Sequence, residues 1–179
     1  VRRGLGRAVE LNAHVVGYVD ADMATPADEV GRLLDVLRES DLAVVMGSRL
    51  AILGHVIERS PLRHYLGRVF ATGASMVLGV AVYDTQCGAK FFRVTDGLRA
   101  ALAEPFASRW AFDVELLGRL IRTLDNPPHG AASPIREVPL RRWHDTGRSK
   151  VRPMAMVLAF LSLALIRRRL AAWRPGTPV

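Results

Sequence analysis

Asp20 and Asp22 stand one residue apart at the end of an apolar run, in Gly17-Tyr-Val-Asp-Ala-Asp-Met-Ala-Thr-Pro26. Along an extended chain, side chains two positions apart share a face at about 6–7 Å. Two like charges so placed repel each other unless a cation offsets them. A strand tip carrying Asp-x-Asp is therefore a candidate for holding a hard divalent metal through oxygen ligands. The same residue types also suit a turn leading into a helix. A phosphatase-type motif with an aspartyl nucleophile is a poorer match, because its fifth position is Ala24 and Thr25 falls one place late.

The elements that must position this pair are legible from periodicity. Val1, Leu5, Ala8 and Val9 recur at helical spacing, and Asn12 suits a left-handed cap. His14–Val19 reads as a buried strand that delivers Asp20 and Asp22 at its carboxyl end. Thr25, Pro26 and Asp28 suggest an N-cap, a first-turn proline and an acidic first turn for the next helix, whose apolar stripe is Val30, Leu33, Leu34 and Leu37. Leu42–Met46 is a second strand, ending in Gly47-Ser-Arg49. Pro61–Val80, Thr95–Ala103 and Phe112–Leu124 are helix candidates. The segment 84–92 is a polar turn entering a strand, and Ile135–Trp143 is a late strand. This order predicts an α/β domain with a largely parallel sheet. Ligands of such sheets gather at the carboxyl ends of strands, where Asp20, Asp22 and Arg49 fall.

Charge and cysteine usage narrow the classes further. At 179 residues the chain is one domain's worth, rich enough in apolar residues to exclude disorder. Cys87 is the sole cysteine, which excludes an intrachain disulfide and fits a reducing compartment. The net charge of +8 is concentrated in the last 39 residues, where nine basic side chains face Asp145 alone. Such an end seeks an anionic partner. Met154–Ile166 is an apolar helix between basic clusters, too short to span a bilayer, and is expected to lie in a membrane interface. A core or dimer helix, and hence a homo-oligomer, is the alternative. Nucleic acid is not expected, because aromatics are not interleaved with the basic residues. These features divide the chain into residues 1–152 and a basic, apolar tail at 153–179.

Four segments together, "VDADMATP", "GSR", "YDTQCGAKFF" and "RWAFDVELL", followed by "EVPLRRWHDTGRSKVRP", resemble family 2 glycosyltransferases that load a sugar onto a polyprenyl phosphate. The resemblance is greatest to the dolichyl-phosphate β-glucosyltransferase group and covers about residues 1–155. It implies a GT-A (Rossmann-like) fold lacking its first βα unit, which would precede Val1. It also implies a nucleotide-sugar donor, with UDP-glucose expected, and Mg²⁺ or Mn²⁺ held by Asp20 and Asp22. The acceptor would be a dolichyl or other polyprenyl phosphate, and the site would face the cytoplasm at a membrane.

Further positions take roles from the same resemblance. Asp84 is placed beside the reacting centre, where it would orient the nucleophile or stabilise positive character at the anomeric carbon. Arg49 and Arg63 are expected to meet phosphate, a task suited to a fork-shaped guanidinium. Gln86 and Lys90 are candidates for sugar hydroxyls or phosphate, with a solvated strand end the alternative for Lys90. Ser149 and Lys150 fall on the lipid-phosphate side, with His144 where mannose synthases carry arginine. Ala24 replaces the Gln that those relatives often carry as a third ligand. Asp113 and Glu115 open a helix, where acids are favoured by the dipole in any case. The rival from another class is a non-catalytic, membrane-associated interaction module derived from an incomplete transferase.

Overall fold

The computed structural model describes residues 1–58, 61–124, 133–144 and 153–176, and their side chains apart from those of 58, 61–64 and 153–157. The first helix, α1 (Arg2–Glu10), ends where Asn12 adopts φ 59°. The amides of Asn12 and Ala13 donate to the carbonyls of Val9 and Ala8, at 3.1 and 3.2 Å. This reversal satisfies the last carbonyls of the helix and turns the chain into β1 (Val15–Val19).

Next come α2 (Ala27–Arg38), β2 (Val44–Ser48), β3 (Val56–Glu58), α3 (Pro61–Leu78) and β4 (Ala89–Arg93). The chain continues with α4 (Asp96–Ala103), α5 (Phe112–Ile121), β5 (Ile135–Pro139), β6 (Arg142–His144) and α6 (Pro153–Ala172). The main sheet has the order β1-β4-β2-β5, and β3 pairs with β6 in a small separate sheet. β2 and β5 are parallel, whereas β4 is antiparallel to both β1 and β2. The expected largely parallel sheet is thus a mixed one, with three strands in one direction and β4 inserted between two of them. Periodicity shows which face of a strand is buried but carries no information about its direction.

Alternation along the strands sends side chains into two cores. Val16, Val44, Met46 and Phe92 face a core shared with α1, α3, α4, α5 and α6. Val45, Ala89, Phe91 and Val138 face a second core closed by Leu33 and Leu37 of α2 and by Trp143 of β6. β1 approaches β4 closely at Gly17, where any Cβ would clash with the Phe91 ring and the Lys90 carbonyl. α6 lies on α5 at Gly118 in the same manner, with Leu170 filling the space.

Three local expectations change. Ile135–Trp143 is not one strand but two, because α2 captures the backbone between them. Glu29 accepts from the Arg141 amide at 3.1 Å and Arg32 donates to the Pro139 carbonyl at 2.8 Å. Thr25 makes no cap bond; Pro26 holds the N-cap position of α2, and its carbonyl accepts from Glu29 and Val30. α6 runs beyond Ile166 through the arginine cluster, packing Leu163, Ile166 and Leu170 into the first core.

Cys87 is wholly buried between the sheet and α2's core, and burial pushes its thiol up to about 12. It should not react with a disulfide reagent at pH 8 in the native state and should titrate as one thiol on unfolding. In the unfolded chain the thiol ionises near 8.5. Folded stability should therefore be unaffected by this group below about pH 8 and fall as pH rises beyond it, a slope that Cys87→Ala removes.

Candidate functional site

The antiparallel entry of β4 decides where the site lies. Val19 pairs with Ala89 at the carboxyl end of β1, and the Asp20 amide continues the ladder by donating to the Gly88 carbonyl at 2.7 Å. The turn before β4 therefore lies against the ends of both β1 and β2. Asp20, Asp22, Arg49, Asp84 and Gln86 are gathered along one sheet edge from segments that are distant in sequence.

Asp20 and Asp22 are exposed at this edge. The Asp20 carboxylate occupies the space that any side chain at Gly88 would need. Partial burial, and then the neighbouring Asp22 charge, raise the Asp20 carboxyl above its usual range; Lys90 and Arg49 pull in the opposite direction. Asp22 accepts from the Ala24 amide at 3.0 Å, closing a turn in which Met23 takes φ 61°. A left-handed backbone costs a non-glycine residue about 1–2 kcal/mol, so this loop holds the two carboxylates in place against local strain. The expected turn is thus formed by the residues that carry the paired acids.

Arg49 and Asp84 form one unit rather than two separate contacts. The guanidinium donates to both carboxylate oxygens, at 2.6 Å from Nε and 2.8 Å from Nη2. The Arg49 amide adds a bond at 3.1 Å and the Gln86 amide another at 3.3 Å. Among the described residues, four N–H donors thus meet a carboxylate that offers roughly four lone-pair directions. Burial alone would loosen the Arg49 proton, but the charge and hydrogen bonds of Asp84 more than offset it, so Arg49 stays a cation. The guanidinium also lies 5.3 Å from the centre of the Trp143 ring. Behind the pair, Glu137 of β5 accepts from the amides of Tyr83 and Asp84, both at 2.7 Å.

A second charge cluster underlies the Asp20 end. Lys90 is buried, not a solvated strand end; its Nζ is 2.9 Å from Asp113 and donates to the Cys87 carbonyl at 2.6 Å. The Tyr18 hydroxyl donates to the same Asp113 carboxylate. Burial and then that carboxylate hold the Tyr18 hydroxyl well above its ordinary range, so it remains a donor. Asp113 therefore joins the site edge through Lys90. Glu115 does not: it pairs with Arg119 at 2.7 Å and caps the Ala107 amide beneath α6.

His144 ends β6, where its amide donates to the Ala24 carbonyl at 3.1 Å. The start of the 144–150 segment is thereby tied to the Asp22 turn. Arg63 begins α3, but its side chain, Ser149 and Lys150 lie outside the described residues. Glu137, Trp143 and Tyr18 are site neighbours that sequence reasoning passed over. Glu137 carried a faint signal: it is an acid at a strand position paired with fully buried Met46.

Among the described residues no three His, Cys, Asp or Glu side chains cluster as a metal site. Asp20 and Asp22 supply only two oxygen-bearing groups. That set suits a hard cation that completes its shell with water and a bound phosphate.

No family model matches the chain. Curated relatives do. It is 30% identical, over 91% of its length, to a dolichyl-phosphate beta-glucosyltransferase of Trichomonas vaginalis, covering 48% of that protein. It is 32% identical over 90% of its length to a dolichyl-phosphate beta-glucosyltransferase of Saccharomyces cerevisiae, covering 50%, and 33% identical over 76% to one of Dictyostelium discoideum, covering 40%. The chain spans about half the length, or less, of these relatives. The glycosyltransferase resemblance carried by its motifs is borne out by them.

The Arg49–Asp84 pair is buried and bidentate, so removing one partner strands the other charge. Arg49→Met or Asp84→Asn should each cost about 3–5 kcal/mol in urea unfolding. The double variant should cost less than their sum, which a double-mutant cycle reads directly.

Proposed function

We propose that the protein transfers a hexose, glucose from UDP-glucose, to a dolichyl or other polyprenyl phosphate with inversion at the anomeric carbon. The observation that carries this reading is the convergence of Asp20, Asp22, Arg49 and Asp84 on one sheet edge, in a chain whose relatives are named for this transfer. In the reaction an acceptor phosphate oxygen forms the new bond to the anomeric carbon as the bond to the departing nucleoside diphosphate breaks. The acceptor phosphate needs little help to lose a proton, since its second pKa is near 6.

The residues divide the work accordingly. Asp20 and Asp22 would hold Mg²⁺ or Mn²⁺, which would neutralise charge on the leaving diphosphate. The crowding of their like charges supports that role, because a cation relieves it. Asp84, with four N–H donors on its oxygens, acts through its charge and by fixing Arg49 rather than as a base. Arg49 uses two of its five N–H groups on Asp84 and offers its positive charge to donor phosphate. Lys90 supports Asp20 from below, through the Cys87 carbonyl and the turn to Gly88, rather than contacting substrate. Gln86, Arg63, Ser149 and Lys150 keep the donor and acceptor roles that the resemblance implies.

We further propose that the site faces the cytoplasm at a membrane surface. No helix among the described residues is long and apolar enough to cross a membrane. α6 buries one stripe in the core and leaves Leu158, Leu161 and Leu165 exposed on another, next to exposed Arg167 and Arg168. Apolar side chains beside arginines suit an interface with anionic lipid.

Radiolabelled glucose transfer to dolichyl or undecaprenyl phosphate, measured with the full gene product, tests the enzymatic reading. Transfer should be abolished by EDTA, restored by Mn²⁺ or Mg²⁺, and fall to background in Asp22→Ala. Absence of any EDTA-sensitive glycolipid would favour an interaction module instead. Vesicle flotation tests the surface. Because α6 is part of the core, point variants serve better than deletion: Arg167→Gln with Arg168→Gln should weaken binding to phosphatidylserine vesicles roughly 30-fold, at about 1 kcal/mol per charge. Unchanged flotation would remove the membrane proposal and leave the transfer reaction standing.

A further inference from the structure

We propose that Glu137 is a positioning residue of this site: by accepting the amides of Tyr83 and Asp84 it aims the Asp84 carboxylate at Arg49. The proposal rests on the glycosyl-transfer reading for its catalytic consequence, and on geometry alone for the positioning itself. Glu137 sits on β5 opposite Met46 of β2, on the side of the sheet away from α2's core. Its two oxygens take the two successive amides separately, Oε2 from Tyr83 and Oε1 from Asp84, each at 2.7 Å. Two short bonds from one planar group to consecutive peptides fix the orientation of both peptide planes. The Asp84 Cα–Cβ direction follows from that orientation.

The rest of the turn shows the same need for external anchoring. It has no regular structure of its own between α3 and β4, so its amides and carbonyls must find partners elsewhere. The Ser75 hydroxyl bonds both the Val82 amide and carbonyl at 3.1 Å, and Lys90 holds the Cys87 carbonyl. Arg68 lies 3.8 Å from the centre of the Tyr83 ring. Among the described residues, Glu137 is the one whose side chain binds the backbone of Asp84 itself. Loss of one of its acceptor oxygens would leave one amide facing an NH₂ group and let the carboxylate swing off the guanidinium. A displacement of about 1 Å at a reacting site costs on the order of 100-fold in rate.

The full chain is compared with Glu137→Gln, and with Arg136→Gln as a control from the same strand with its side chain exposed. In ¹⁵N-correlated spectra of Glu137→Gln, the Tyr83 and Asp84 amide protons should move upfield together and the Arg49 Nε–H resonance should shift. None of the three should move in the control. In the transfer assay kcat should fall roughly 10- to 100-fold with the donor KM changed by less than about threefold. Unmoved Arg49 and Asp84 resonances would overturn the proposal, as would a lower melting temperature with unaltered kcat. If the unsubstituted protein transfers no sugar, the glycosyl-transfer reading fails while the Arg49 resonance still decides the role of Glu137.

Discussion

One antiparallel strand between two that run the other way is the constraint on which this site depends. Because β4 enters the sheet where β1 and β2 end, its entry turn must lie across their carboxyl ends. The Asp20 amide then finds its partner in Gly88, and Asp84 arrives beside Arg49. A parallel strand at the same place would begin at the opposite edge and carry residues 84–88 away from both. The closeness that this arrangement demands is visible in the glycines. Gly17 admits the Phe91 ring, and Gly88 yields its space to the Asp20 carboxylate.

Electrostatics then separates residues that hold the site from residues that present charge. Arg49 with Asp84, Lys90 with Asp113, and Arg119 with Glu115 are each paired at hydrogen-bond distance and largely withdrawn from water. Pairs of this kind contribute little net stability but are costly to break, so they act as fixed points. Asp20 and Asp22 differ, being like charges close together at the surface; partial burial and then the Asp22 charge raise the Asp20 carboxyl. The buried pairs thus flank an unfavourable pair of like charges held at the surface.

The elements and the outline of the site were legible because each rests on local pattern. Helical stripes such as Val30, Leu33, Leu34 and Leu37, and the strand run before Asp20, appear in the structure where periodicity placed them. The acids at the end of β1 and the Arg after β2 fall at carboxyl strand ends as expected. Other readings were decided by contacts between distant segments. Lys90 looked like a solvated strand end until Asp113, 23 residues later, was seen to pair with it. The 135–143 run looked continuous because nothing within it shows that Glu29 and Arg32 of α2 take hold of its backbone. Apolar 154–166 has the pattern of an interfacial helix, yet one stripe of it, Ala159, Leu163 and Ile166, is spent on the core.

By itself, then, the sequence determined the α/β class, the order of helices and strands, the paired acids and the motifs shared with glycosyltransferases. Those follow from side-chain periodicity, turn chemistry and residue identity, all of which act over a few positions. Only the tertiary structure decided that β4 runs antiparallel, that Arg49 and Asp84 are one unit, and that Glu137 stands behind them. Strand direction and ion pairing depend on which distant segments meet, and a carboxylate that binds backbone amides recognises no particular side chain, so its partners leave no mark in the string of residues.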